Sequence, residues 1–123
     1  RCALGRYPAS MGCLFCNIVS KKIPADIVYE DDHVLAFRDV RPVAPSHALV
    51  IPKVHLERVH EATGEHAALL GAVVLGAREV AERLGLGGSG YRLVINNGHD
   101  GGQTVFHLHV HVLGGRALSW PPG

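Results

Sequence analysis

Cysteine is scarce in this 123-residue chain: three in all, at Cys2, Cys13 and Cys16. An odd number argues against a disulfide scaffold and points to a reducing, cytoplasmic setting. An excess of one charge is also lacking. Twelve Lys and Arg stand against eleven Asp and Glu, which excludes the electrostatic footprint of a nucleic-acid binder. No apolar run approaches the length of a membrane span, and Arg1 to Ser10 lacks the apolar core of a secretory signal. Methionine occurs once, at Met11, while residue 1 is Arg. Residues 1–11 are therefore expected to be a disordered leader or cloning remnant, and residues 12–123 a single domain. Met11-Gly12 opens like a myristoylation site, but Cys16 stands where Ser or Thr is needed. Hydrophobic residues make up 47% of the chain, enough for a real core in one domain.

The sequence is richest in signal between Gly101 and Gly115, G-G-Q-T-V-F-H-L-H-V-H-V-L-G-G. His107, His109 and His111 alternate with Leu108, Val110 and Val112. A period of two with β-branched neighbours predicts a strand, with three imidazoles on one face and aliphatic side chains on the other. Three adjacent histidines make a poor core, because every ring nitrogen needs a partner. They suit proton transfer, nucleophilic attack or metal binding near neutral pH. Gly101, Gly102, Gln103 and Thr104 lead into the strand. Glycines there allow backbone N–H groups to converge on an anion, and Thr104 adds a hydroxyl, so a phosphate would lie beside the histidines. The plainer alternative for Gly101-Gly102 is an ordinary turn.

Elsewhere the periodicities give the outline of the fold. Phe15 to Val19 predicts one or two helical turns. Ile27 to Glu30 and Val34 to Asp39 predict a hairpin about Asp31-Asp32. The prolines of Arg41 to Ser46 predict a loop, and His47 to Ile51 a third strand stopped by Pro52. From Glu65 to Leu84 the spacing becomes helical, with a stripe of Leu69, Leu70, Val73, Val74, Ala77, Val80, Ala81 and Leu84. Thr63 is the expected N-cap and Gly85 the stop. Tyr91 to Asn96 is a fourth strand, Asn97 to Gly102 a loop and Leu108 to Leu113 a fifth strand. This order predicts an α+β fold, an antiparallel sheet with helices on one face.

I-P-A at Ile23 to Ala25, Y-E-D-D at Tyr29 to Asp32, L-A-F-R-D-V at Leu35 to Val40 and A-P-S-H-A-L-V-I-P-K at Ala44 to Lys53 join two further motifs. These are G-G-Q-T-V-F-H-L-H-V-H-V-L-G-G-R at Gly101 to Arg116 and W-P-P-G at Trp120 to Gly123. Together they resemble the histidine-triad nucleotide-binding proteins, in the purine-nucleoside phosphoramidase branch. The resemblance runs from about Cys13 to Gly123. It implies a five-stranded antiparallel sheet with one short and one long helix, and two subunits pairing into a ten-stranded sheet. It also implies a purine nucleotide pocket for an AMP or GMP moiety, and P–N bond hydrolysis through a nucleotidyl-histidine intermediate with no required cofactor.

By this resemblance His109 is the nucleophile, and His111 contacts the phosphoryl oxygens and protonates the departing amine. His107 and His47 orient the others. Gly102, Gln103, Thr104 and Asn96 bind phosphate; Asp39 takes the ribose hydroxyls; Phe15, Ile18, Phe37 and Val40 sandwich the base. Trp120 reaches the partner subunit's site. Taken from the residues alone, His47 is as readily a structural histidine, Asn96 a strand-end residue, Asp39 a turn initiator and the apolar four are core. The resemblance also makes Cys13 and Cys16, with His55 and His107, candidates for a structural zinc; by itself the C-L-F-C pair is weak evidence for zinc, against two reduced thiols. His33, His60, His66 and His99 are expected at the surface without a role. Three other functions compete: dinucleoside-polyphosphate hydrolysis, which the W-P-P-G end disfavours; a metal site built on the three histidines, lacking an obvious carboxylate to complete it; and a nucleotide-binding regulatory protein whose hydrolysis is incidental.

Overall fold

The stretches Val34-Leu35-Ala36-Phe37 and Ala48-Leu49-Val50-Ile51 show no polar alternation, and every one of these side chains is buried. A strand that is apolar on both faces needs cover on both. The computed structural model, which describes residues 12–123, supplies it. Its elements are α1 (Leu14–Val19), β1 (Ile27–Glu30), β2 (Val34–Arg38), β3 (Ser46–Pro52), α2 (Ala67–Arg83), β4 (Tyr91–Val94), the single helical turn α3 (Gly98–Gly101) and β5 (Val110–Gly114). The five strands form one antiparallel sheet, as expected, and their order is β1-β2-β3-β5-β4. The proposed leader, with Cys2 and Met11, lies outside the described residues.

The expectation that the helices share one face of the sheet is not met. Val34, Ala36, Ala48, Val50, Val110 and Val112 pack with Val73, Ala77, Val80 and Ala81 of α2. The alternate residues Leu35, Phe37, Leu49 and Ile51 pack with Phe15 and Ile18 of α1. The period-two rule assigns each set to its own face, so α1 and α2 cover opposite sides. Gly76 lets α2 approach closely: a Cβ there would meet Val34 at 3.0 Å and Val50 at 3.3 Å. The buried stripe of α2 is narrower than the periodicity suggests, since Val74 is exposed. Thr63 caps a short 3-10 turn, Gly64–His66, that leads into α2, and its N–H donates to His66 Nδ1. His66 thus has a local capping role.

β5 starts two residues later than expected, for a visible reason. Val50 pairs with Val110 in an antiparallel register, which would set Pro52 opposite Leu108. Proline has no N–H to continue the ladder. The chain leaves the sheet there, and Leu108 N–H donates to Leu56 O instead. His107 is released from the strand and turned towards α1.

At the other end of β5, Gly115 has φ +95, and an added Cβ would stand 2.8 Å from Pro45 Cβ. Gly115→Ala therefore meets both a left-handed backbone and a rigid ring. It is expected to cost about 2 kcal/mol or more, read as a lower urea midpoint at unchanged slope.

Candidate active site

Two triad histidines have one ring nitrogen set by a backbone carbonyl and the third by a side chain, and this fixes what the other nitrogen can do. A carbonyl oxygen only accepts. His109 Nδ1 lies 2.7 Å from His107 O, so Nδ1 carries the proton and Nε2 presents a lone pair. His107 Nε2 lies 2.9 Å from Pro52 O, so its Nδ1 is the bare nitrogen. The third ring is fixed through a relay. Val43 N–H donates to His47 Nδ1 at 3.1 Å, so His47 Nε2 carries a proton. That proton faces His111 Nδ1 at 2.9 Å, leaving the His111 proton on Nε2.

Burial reinforces the neutral forms. His107 and His111 are each pushed down to about 4, mainly by burial. Burial lowers His47 and His109 as well, with the Asp39 carboxylate opposing it at both. Burial thus favours the neutral form of His111. For His47 and His111 the folded state holds neutral rings, whereas unfolded rings take up protons below about 6.5. Protonation therefore favours unfolding. Stability is expected to be level above about pH 6.5 and to decline as pH falls towards about 4, seen as a lower urea midpoint at pH 5 than at pH 7.

His109 and His111 line a cavity of about 700 Å³ together with Phe15, Ile18, Phe37, Leu49, Asp39, Val40 and Thr104. That size suits a small-molecule ligand. Phe15 is central: its ring meets Phe37, His107 and His109 edge-on at centroid distances of 5.4, 5.9 and 5.2 Å. Phe15, Ile18 and Phe37 are both core and cavity wall, so the two sequence readings of them coincide. Val40 stands at the mouth, 91% exposed. Asp39 also combines its alternatives. Oδ1 accepts from Arg41 N–H at 2.7 Å as a turn initiator, while Oδ2 faces the cavity side, 3.4 Å from His47 Nε2.

The glycine loop differs from expectation. Gly102 N–H donates to His99 O and Gln103 N–H to Gly98 O, closing the α3 turn. These two amides are committed within the loop and do not form an anion nest. The Gln103 side chain is buried and bonds Gly98 N–H, Glu57 O and Val105 O. It staples the loop in place. Thr104 is the member of this run that lines the cavity, and Asn96 packs against Gly101 outside it. The sequence showed no helical turn here because four residues are too few for a periodicity. Trp120 lies away from this chain's cavity, 80% exposed, with the Arg92 guanidinium 6.0 Å from its ring and donating to Ser119 O.

Among the described residues, two groups of side chains have a composition that could hold a metal, and they differ in kind. Around His107, Cys13 Sγ lies 3.3 Å from Nδ1 and Cys16 Sγ 3.5 Å, with His55 Nδ1 3.3 Å away; Cys16 Sγ lies 3.2 Å from His55 Nδ1. A tetrahedral zinc with bonds of about 2.0–2.1 Å to nitrogen and about 2.3 Å to sulfur has edges of roughly 3.3–3.8 Å. The bare nitrogen of His107 points into this group, and Pro52 O fixes its ring from behind. Cys16 is disulfide-bonded in this structure, so these donors would suit zinc only with that bond reduced. Around Asp39, His47 and His111 the pattern is different, because the His47 proton occupies the space between the two rings.

An antiparallel α+β sheet carrying three alternating histidines, two of them facing a small-molecule cavity, defines a histidine-triad protein. The HIT domain matches residues 20–118, and the chain belongs to that family. An uncharacterized HIT-like protein of Synechococcus elongatus is 59% identical over 110 residues, covering 89% of this chain and 96% of that protein. The crystal structure of a HIT family hydrolase from Legionella pneumophila matches with a TM-score of 0.89 at 47% identity, over 91% of this chain and 100% of that one. A HIT family hydrolase from Clostridium thermocellum matches at 0.85 and 45%, over 88% and 94%. Among the described residues no helix is long and apolar enough to cross a membrane.

Proposed function

We propose that this protein is a nucleotide-binding hydrolase that cleaves the P–N bond of purine nucleoside 5′-phosphoramidates through a nucleotidyl-histidine on His109. One observation carries the reading: His109 donates from Nδ1 to its own chain's carbonyl, so its Nε2 lone pair is available at the cavity. Two similar structures being named HIT family hydrolases supports hydrolysis, and the W-P-P-G end supports the phosphoramidase branch over dinucleoside polyphosphates. Nε2 attacks phosphorus, the P–N bond breaks, and the amine departs with one more proton than it carried. Water then cleaves the P–Nε2 bond and releases the nucleoside monophosphate. His111 Nε2–H and the Thr104 hydroxyl hydrogen-bond the phosphoryl oxygens as charge develops. Asp39 receives the ribose, and Phe15, Ile18 and Phe37 hold the base. The test is release of AMP from adenosine 5′-phosphoramidate without added metal. AMP binding without turnover would make the protein a regulatory binding module, and turnover of diadenosine polyphosphates alone would move it to the other branch.

The same reading includes a homodimer through β4. That strand is a sheet edge, and Tyr91 and Leu93 present exposed apolar area on one of its faces, with Leu75 of α2 66% exposed. Trp120 would then serve the neighbouring site. Sedimentation should give twice the chain mass, and a monomer would remove this element. A structural zinc on Cys13, Cys16, His55 and His107 belongs to the proposal too. It would tie α1 to the segment before β5 without taking part in the chemistry. Elemental analysis of reduced protein should give one zinc per chain and none for Cys13→Ser, with a lower Tm in the variant.

A further inference from the structure

We propose that His47 is a positioning residue that locks the tautomer of His111, so that His111 works as a neutral Nε2–H donor and not as the acid that protonates the leaving group. The geometry is a directed chain of three groups. Val43 N–H can only donate, so His47 Nδ1 accepts and His47 Nε2 is the protonated nitrogen. His47 Nε2–H then meets His111 Nδ1 at 2.9 Å, which leaves a neutral His111 one place for its own proton, Nε2. A charged His111 would carry protons on both nitrogens and set an N–H against the His47 N–H. The rings are packed with centroids 5.2 Å apart, and His47 is only 6% exposed, so His47 has little room to turn away.

The groups facing His111 are His109 just before β5, His47 on β3 and Asp39 in the loop after β2. The two rings oppose its protonation and Asp39 favours it. The Asp39 carboxylate lies near enough to favour the charged form, yet its Oδ2 is 3.4 Å from His47 Nε2 and competes for the same proton. With His111 held neutral, it cannot give up Nε2–H without becoming an anion. The proton that the departing amine needs then reaches its nitrogen from solvent, and His111 contributes a hydrogen bond to the phosphoryl oxygen throughout.

The kinetic half of this inference rests on the phosphoramidase reading; the tautomer half does not. The experiment is two-bond ¹H–¹⁵N correlation of the histidine rings at neutral pH for the full chain, for His47→Leu and for His47→Gln, with kcat and KM on adenosine 5′-phosphoramidate. A glutamine amide can stand where His47 Nε2–H stood. The expected result is a single Nε2–H tautomer of His111 in the parent and the Gln variant, and a mixture in the Leu variant. Alongside this, kcat should drop at least about tenfold in His47→Leu at nearly unchanged KM, with most of the loss recovered by Gln. The parent should show no acid limb near pH 6.5 from His111, while the Leu variant should let His111 titrate higher. An Nδ1–H or doubly protonated His111 in the parent overturns the proposal, as does an unchanged tautomer in a folded Leu variant. If His47→Leu does not fold, the parent spectrum decides. If the parent fails to turn over the phosphoramidate while showing the Nε2–H tautomer, the reaction reading fails and the lock stands.

Discussion

His109→Ala is expected to lower kcat on adenosine 5′-phosphoramidate by about 10⁴-fold or more while changing AMP affinity only a few-fold. The loss is large because this substitution removes the nucleophile, and no neighbouring nitrogen can take its place. His107 Nδ1 points away into the cysteine cluster. His111 presents Nε2 with a proton on it, and an N–H cannot attack phosphorus. Binding survives because Phe15, Ile18 and Phe37 still wall the cavity. Alanine also leaves His107 O without its donor, at about 1–2 kcal/mol, so a second variant is needed. His109→Asn can return an amide N–H to that carbonyl while offering no nucleophile. Both variants should bind AMP and both should be inactive. Turnover by either within about tenfold of the parent would put the covalent step elsewhere.

Much of this site was legible because strand geometry converts alternation into a shared face. The period alone grouped His107, His109 and His111, of which His109 and His111 line the cavity while His107 is turned out of the strand towards α1, and Asp39, Phe15, Ile18, Phe37 and Val40 line the same cavity. Leu49 was within reach too. It sits two residues from His47 on the same face of β3 and opposite His111, and its only disguise was an apolar run. The same run hid the second layer. Val34 to Phe37 shows no alternation, and that absence is itself the signature of a sheet covered on both sides, which would have placed α1 opposite α2. What residue types could not show were backbone groups. Pro52 O, His107 O and Val43 N–H set all the ring tautomers, and no side-chain pattern announces them. The phosphate loop failed for a related reason. Glycines permit an anion nest, but Gly102 and Gln103 close a helical turn whose carbonyls claim those amides first.

His107 is where the largest loss of stability is expected: His107→Ala should cost about 3–5 kcal/mol in urea unfolding. Its ring is 0% exposed and touches α1, the end of β3 and the segment that follows β3. Nε2–H satisfies Pro52 O at the point where the β3 ladder ends. Nδ1 meets Cys13, Cys16 and His55, and Phe15 packs edge-on against the ring. Truncation leaves a buried carbonyl unpaired, at about 1–3 kcal/mol, and a cavity of ring size, at a further few kcal/mol. His107→Gln separates these contributions from metal binding. Its amide can reach Pro52 O in place of Nε2–H and fills part of the space, so about half the loss should return, yet it offers the cluster no imidazole nitrogen. Zinc content should therefore vanish in both variants while stability differs between them. The His107 carbonyl that orients His109 belongs to the backbone and is present in both, so His107→Gln should keep more activity than His109→Asn by at least about a hundredfold. Equal stability of the Ala and Gln variants would mean that the Pro52 bond contributes little and that the cluster alone anchors the ring. Equal activity of His107→Gln and His109→Asn would mean that the cluster, through the ring, sets the nucleophile's position.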